Sequence, residues 1–291
     1  SAAFEFAGTD WTITGADFQN MQGAVGVLLK ALEYSGLGQY DLKNLSMDVF
    51  DPNSALGQAM NKFGDYLQEH LGDGQSVTGN FIVKYNNGKG VAYDLHLQMT
   101  WTNKDLTVNC KVQSQEGDVV EVIFVIDGKQ ATGKALQDVK TVADLAADFK
   151  SLDFNQDNFA SIQKFVSTVQ GLLGMAGQVQ NGLNATQMTL GFTDKATGDK
   201  FAFTVKQGDE GAQVTITSAN KNVPKVTVRL KAVTEASLSG VNNLRNDLKT
   251  QFGGSGAALD LPTLQTNLKT LVANFNSYGL QEFALETALG T

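Results

Sequence analysis

The chain contains one cysteine and two histidines, the residue types whose chemistry near neutral pH most often marks a reactive or metal-binding site. Because Cys110 is the only cysteine, it forms no disulfide within the chain, and a metal cluster of several cysteines is excluded. Cys110 occupies an apolar position of an alternating segment. We therefore expect it to be a small buried hydrophobic side chain and not a nucleophile.

The two histidines lie in different contexts. His70 is at the end of a predicted helix in QEHLGDG, where a cationic imidazole complements the helix dipole and the glycines end the helix. His96 is on the polar side of a predicted strand, where an exposed side chain is expected. A haem or metal site at His96 would need a partner such as His70 or Tyr93, and Tyr93 points to the opposite side of its strand. The sequence thus predicts neither a metal site nor a cofactor.

The segment KYNNGKG, residues 84–90, combines lysine and glycine as phosphate-binding loops do. Such a loop requires a strand followed by a helix, so that the phosphate meets free helical amides. Alternating apolar and polar residues flank KYNNGKG on both sides. Because Asn-Gly favours the positive φ of a tight turn, we predict a hairpin connection here.

The segment DFNQDNFASIQK, residues 153–164, places Asp153, Asn155 and Asp157 at the first three ligand positions of a calcium loop. Asn158 stands at the glycine position of that loop, and Lys164 stands at the position of the bidentate glutamate. The segment therefore lacks the turn and the strongest ligand of a calcium site. Helix capping is the simpler interpretation.

Catalytic motifs are missing from the sequence. It contains no G-x-S-x-G, H-E-x-x-H or G-x-G-x-x-G. A pair of catalytic carboxylates is defined in space rather than by spacing, and no pair stands out among the 30 acidic residues. We predict that the protein is not an enzyme; an enzyme with a dispersed acidic site is the lowest-ranked alternative.

The elements that would position these residues follow from hydrophobic periodicity. Period-two alternation predicts a four-stranded antiparallel meander over residues 77–127 and a second one over 188–230. Helical spacing is predicted over residues 21–32, 56–67, 136–149, 159–179, 238–252 and 264–275. Asp, Asn, Ser or Thr precedes several of these helices and could cap them.

This order predicts an α+β protein of two tandem repeats, each a helix, a four-stranded antiparallel meander and a helix, with helices on one face of each sheet. The first unit, residues 1–150, adds an N-terminal strand and helix, and the second, residues 151–291, ends in a helix. We expect the two units to pack together as one body.

The long helix over residues 159–179 could form one wall of an elongated apolar cavity under a curved sheet. The candidate ligand contacts are Phe159, Phe165, Val169, Leu172 and Leu173. These side chains could equally belong to the core. They support the alternative that the protein carries a lipid or another apolar small molecule.

The composition of the chain limits the kinds of partner that it can have. The net charge is -8, charged residues make up 18% of the chain, and Arg229 and Arg245 are the only arginines, which argues against a nucleic-acid partner. No apolar run approaches the ~18–20 residues needed to span a bilayer.

We expect a secreted or cell-surface bacterial protein, because the chain has low charge, many neutral polar residues, a single thiol and Ser1 as its first residue. The leading hypothesis is a non-enzymatic protein that acts by binding a partner or by self-assembly.

Overall fold

A computed structural model describes residues 1–88, 90, 92–113, 119–150, 183–194, 197–208, 211–230, 235–254, 259–280 and 282–287. Helices and antiparallel strands both contribute to it, which confirms the α+β class. The chain divides into two compact units. The first comprises residues 1–113, 121–147 and 175–185, and the second comprises residues 114–120, 148–174 and 186–291.

The sheet of the first unit contains strands in the order of the sequence. They are β1 (Ala2–Phe6), β2 (Thr9–Thr14), β3 (Ser76–Asn86), β4 (Ala92–Trp101), β5 (Asp105–Gln113) and β6 (Val119–Asp127). The pairs from β1–β2 to β4–β5 are antiparallel. The predicted meander of residues 77–127 is confirmed, and it is extended by a hairpin, β1–β2, where the sequence predicts a single strand.

Alternation gives this sheet one buried and one polar face. In β4 the side chains of Tyr93, Leu95, Leu97, Met99 and Trp101 are buried, whereas the residues between them are exposed or half-buried. Because neighbouring strands pair in register, the same division holds across β3, β4 and β5.

Helices cover the buried face. They are α1 (Phe18–Ser35), α2 (Ala55–His70) and α3 (Ala131–Lys150). Asp17 caps α1 by accepting a hydrogen bond from the Asn20 amide at 2.8 Å, and Ser54 caps α2 by accepting one from the Gly57 amide at 2.9 Å. The expectation that short polar side chains cap the start of these helices is confirmed for α1 and α2.

Four aromatic rings join the helices to the sheet. Phe63 of α2 lies 5.6 Å from the Trp11 ring and 5.3 Å from the Trp101 ring, and Phe81 also meets both tryptophans edge-on. The Trp101 indole N–H donates to Thr132 Oγ1 of α3 at 3.0 Å, so its polar atom is satisfied inside the core.

The second unit contains most of β7 and the strands that follow it. The strands are β7 (Leu183–Thr193), β8 (Lys200–Gly208), β9 (Gly211–Ser218), β10 (Lys225–Leu230) and β11 (Glu282–Glu286), and the helices are α4 (Glu235–Phe252) and α5 (Leu261–Asn274). The four strand pairs from β7–β8 to β10–β11 are antiparallel. The predicted strands of residues 188–230 are confirmed, and Asp260 caps α5 through the Thr263 amide at 2.8 Å.

A buried ion cluster joins the β7–β8 loop to α4. The carboxylate of Asp194 is fully buried and lies 3.3 Å from the Arg245 guanidinium and 3.2 Å from the Lys249 ammonium. Its other oxygen accepts from the Thr197 amide at 3.1 Å. Asp199, also buried, accepts from the Asn220 side-chain amide at 3.0 Å.

One predicted feature needs correction: α5 is not the last element of the described residues, because β11 follows it and pairs with β10. The hairpin connection predicted at KYNNGKG is confirmed, because it joins the antiparallel strands β3 and β4 and Gly88 has φ +71°. Asn86 is the last residue of β3 and pairs with Ala92, and Gly88 donates its N–H to Asn86 Oδ1. The predicted helix of residues 159–179 lies outside the described residues.

Candidate functional site

The candidate site is an open groove of about 280 Å³ on the polar face of the first unit's sheet. Its walls come from five neighbouring strands, β2 to β6, and from the segment of residues 42–45. The side chains that line it are mostly polar, and they fall into rows that run across the strands.

The first row consists of amides. The sheet register places Asn80 of β3 opposite Gln98 of β4, and Gln98 opposite Asn109 of β5. Asn80 Nδ2 donates to the Asp10 carbonyl oxygen at 3.3 Å, and Gln98 Nε2 donates to Asn80 Oδ1 at 3.2 Å. These bonds orient the amide planes across the groove before any ligand arrives.

The second row mixes an apolar, an aromatic and a cationic side chain. Ile82 of β3 lies opposite His96 of β4, and His96 lies opposite Lys111 of β5. His96 is exposed, while Ile82 and Lys111 are half-buried. This row therefore offers a small apolar surface and an imidazole beside the amides.

Lys43 reaches the groove because a loop segment replaces β2 along the second half of β3. The Leu45 amide donates to the Ile82 carbonyl at 2.9 Å, and the Lys84 amide donates to the Leu45 carbonyl at 2.8 Å. Lys43 Nζ lies 3.9 Å from the Asp10 carboxylate and 3.8 Å from that of Glu5. Pairs this exposed contribute little stability, so Lys43 remains able to contact a ligand.

Charges in the groove balance. Lys43 and Lys111 contribute two positive charges, and Asp10 and Glu121 contribute two negative ones. The groove thus carries no net charge when His96 is neutral, although the whole chain carries -8. The groove can donate and accept hydrogen bonds, and its balanced charges favour neither a cationic nor an anionic ligand.

A row of threonines borders the amides. Thr12, Thr78, Thr100 and Thr107 follow one another across β2 to β5. The hydroxyls of Thr78 and Thr100 are hydrogen-bonded at 2.8 Å. Cross-strand threonine pairs stabilise a sheet and leave a flat surface of methyl and hydroxyl groups beside the groove.

The structure separates the reactive side chains that the sequence contains. His96 is on the polar face, and Cys110 is fully buried on the other face, as predicted. Burial, together with the charge of Glu121, raises the pKa of the Cys110 thiol to about 12, which keeps it protonated and unreactive at neutral pH. His70 ends α2 as predicted, stacks on Tyr66 at 3.9 Å between ring centroids, and hydrogen-bonds the Tyr66 carbonyl at 2.9 Å.

The predicted apolar ligand contacts lie outside the described residues. They are Phe159, Phe165, Val169, Leu172 and Leu173. The calcium-like segment of residues 153–164 also lies outside them. Within the described ranges, no group of three or more His, Cys, Asp or Glu side chains is placed to hold a metal ion.

Sequence reasoning found part of this groove. The even positions of β4 predict a polar face that includes His96 and Gln98. The partners on other strands could not be found in this way, because pairing Gln98 with Asn80 and Asn109 depends on the register of two hairpins. Lys43 could not be found either, since it comes from a non-periodic segment.

No family model matches the chain, and neither the curated proteins nor the solved structures contain a match to it. Among the helices that the structure describes, none is both long and apolar enough to cross a membrane.

Proposed function

We propose that this is a non-enzymatic binding protein, and that the polar groove of the first unit binds a neutral, hydroxyl-rich chain such as an oligosaccharide. The observation that carries the proposal is the row of Asn80, Gln98 and Asn109, three amides on adjacent strands, of which Asn80 and Gln98 are oriented by hydrogen bonds. An amide both donates and accepts hydrogen bonds, as a sugar hydroxyl does.

The remaining groups of the groove support this ligand class. A neutral polyol has no charge to pair, and the two lysines and two carboxylates of the groove offset each other. Ile82 and the His96 ring offer an apolar surface for the C–H groups of a sugar ring. The threonine row continues the hydroxyl and methyl surface beyond the groove.

The two carboxylates that line the groove, Asp10 and Glu121, are not spaced as a glycosidase pair, and Glu5, the cross-strand partner of Asp10, lies outside the groove lining. Asp10 is on β2 and Glu121 is on β6, and four strand spacings separate those strands. At ~4.8 Å per spacing, the two strands are about 19 Å apart. Glycosidases hold their two carboxyl groups about 5–9.5 Å apart, so these two could not flank one glycosidic bond.

We also propose that the protein is secreted or lies on the cell surface, where polymeric glycans are met. Its low content of charged residues, 18%, and its single thiol support this location. Immunodetection in fractions of the native source tests it, and recovery only in the cytosolic fraction would refute it.

Finally, we propose that the two meanders are an internal repeat. A threonine row crosses the strands of the second unit as well: Thr189, Thr204, Thr215 and Thr227 lie on β7 to β10 in register. Thr189 and Thr204 are bonded at 3.1 Å, and Thr215 and Thr227 at 3.2 Å, as Thr78 and Thr100 are in the first unit. These matching rows support a duplication.

The test is a calorimetric titration with linear neutral hexasaccharides: cellohexaose, xylohexaose, mannohexaose and chitohexaose. We expect at least one to bind, and we expect Gln98→Ala to weaken that binding about tenfold, since a lost hydrogen bond costs about 1.4 kcal/mol. Gln213→Ala is the matched control, because Gln213 is an exposed amide on β9 of the second unit. Equal affinity of the two variants would refute the site.

A further inference from the structure

The groove of the first unit extends farther across the strands than along them. Its lining comes from β2 to β6, and the four strand spacings between these strands, each ~4.8 Å, add up to about 19 Å. On β3 and β4 the lining covers only residues 80–82 and 96–98, which is about 7 Å of strand. The long axis of the groove therefore runs perpendicular to the strands.

Paired side chains border both long sides of the groove. On one side, next to the amide row, the hydroxyls of Thr78 and Thr100 are hydrogen-bonded at 2.8 Å. On the other side, next to the row that contains His96, the Lys84 ammonium lies 2.8 Å from the Asp94 carboxylate. Both pairs join β3 to β4. A chain that ran along these strands would have to cross the two pairs, whereas a chain that crosses the strands lies between them.

The amides of the groove repeat at the strand spacing. Asn80, Gln98 and Asn109 lie on three adjacent strands, and an extended pyranose chain advances by about one strand spacing, ~4.8 Å, with each sugar unit. The bonds from Asn80 to the Asp10 carbonyl and from Gln98 to Asn80 use one N–H of each amide and one lone pair of Asn80. Asn80 and Gln98 can therefore still donate to and accept from a ligand. A chain across the strands can present one sugar unit to each amide.

Charged side chains stand towards both ends of the long axis. Lys43 Nζ lies 3.9 Å from the Asp10 carboxylate at the β2 end, and Lys111 and Glu121 lie on β5 and β6. Hydrogen bonds from ionised groups to hydroxyls are stronger than those between neutral groups. The outer sugar units therefore gain from contacts that a shorter ligand, centred on the amides, would not reach.

We propose that the glycan lies across the strands and that the groove holds about four consecutive sugar units, one for each strand spacing. This inference rests on the function proposed above and narrows it. The ligand is then a linear chain of at least four units, and monosaccharides and disaccharides are poor ligands.

The dependence of affinity on chain length tests the number of units. Oligosaccharides of the cellulose, xylan, mannan and chitin series, from two to six units long, are titrated by calorimetry. In a series that binds, the dissociation constant should fall at least about tenfold from the disaccharide to the tetrasaccharide. From the tetrasaccharide to the hexasaccharide it should fall by no more than about threefold, the statistical gain from three ways of placing four units.

The outcomes separate this inference from the proposed function. Equal affinity for disaccharide and hexasaccharide would overturn the extended site while leaving sugar binding in place, and so would a tenfold or larger gain beyond four units. Absence of binding by all four hexasaccharides would overturn the proposed function, and the inference with it.

Two lysines of the same polar face test the direction of the chain. Lys111 lies across the sheet on β5, whereas Lys84 lies farther along β3, beyond the groove lining. With the hexasaccharide that binds, Lys111→Ala should weaken binding at least about threefold, because a charge-assisted hydrogen bond is lost, and Lys84→Ala should leave it unchanged. Lys43→Ala repeats the test at the β2 end, and far-UV circular dichroism checks that each variant is folded. An equal loss in Lys84→Ala, or unchanged binding in both Lys111→Ala and Lys43→Ala, would overturn the crossing direction.

Discussion

At the residue scale, Gly64 decides how closely α2 approaches α3 and the sheet. A Cβ there would overlap Thr132 Oγ1 and lie 3.0 Å from the Trp101 indole nitrogen. Gly64→Ala should therefore displace Thr132 and disturb the Trp101–Thr132 hydrogen bond. We expect it to lower the free energy of unfolding by about 1–3 kcal/mol, measured by urea denaturation.

Gly26→Ala is the matched control for this prediction. Gly26 lies inside α1, and a Cβ there would meet no atom within 4 Å. Alanine should stabilise the helix by about 0.5–1 kcal/mol, because it restricts the unfolded chain more than glycine does. Close packing at Gly64 would be contradicted if both substitutions changed stability in the same direction.

Cys110 makes stability depend on pH in the alkaline range. Because burial raises the pKa of its thiol to about 12, while an unfolded thiol has a pKa near 8.5, the unfolded state loses the proton first. The stabilisation is complete below pH ~8.5 and is lost as pH rises towards 12. Between these limits the unfolding free energy of wild type should fall relative to that of Cys110→Ala by about 1.4 kcal/mol per pH unit. If the unfolding free energies of wild type and Cys110→Ala changed equally with pH, the thiol would ionise as easily in the folded state as in the unfolded state, which would contradict this prediction.

At the element scale, the ion cluster around Asp194 holds the β7–β8 loop on α4. Asp194→Asn removes the negative charge beside Arg245 and Lys249. Because Asp194 and Arg245 are buried, we expect the unfolding free energy to fall by about 3–5 kcal/mol. Urea denaturation followed by far-UV circular dichroism measures the loss.

The same substitution at an exposed ion pair provides the comparison. Asp94 lies 2.8 Å from Lys84 across β3 and β4, and both side chains are about half exposed. Asp94→Asn should cost less than about 1 kcal/mol. A loss at Asp194 as small as the loss at Asp94 would mean that the buried cluster does not hold the loop.

Elements with strong periodicity could be predicted from the sequence. The long strands of both meanders alternate strictly, and the helix of residues 131–150 repeats its apolar residues at helical spacing. The sequence does not predict β2 as a strand separate from β1, nor β11, because β1 and β11 have only five residues each and offer few alternations to recognise. The groove could be predicted only on β4, since its other residues join it through strand register and through the bonds of residues 42–45 to β3.

At the scale of the whole molecule, each of the two units contains a meander with a polar face crossed by threonines. The polar face of the first unit carries amides and balanced charges, whereas the polar face of the second unit carries a row of Lys206, Gln213 and Arg229. Binding of a neutral chain is therefore proposed for the first unit.

The central claim, that the amide row binds a hydroxyl-rich chain, is tested most directly by the side-chain amide signals in a ¹H–¹⁵N spectrum. The labelled protein is titrated with cellohexaose, xylohexaose, mannohexaose and chitohexaose in turn. At least one should shift the signals of Asn80, Gln98 and Asn109 while leaving Gln213 in place. The claim would be contradicted if none of the four sugars moved these signals at millimolar concentration, or if Gln213 moved as far as the groove amides.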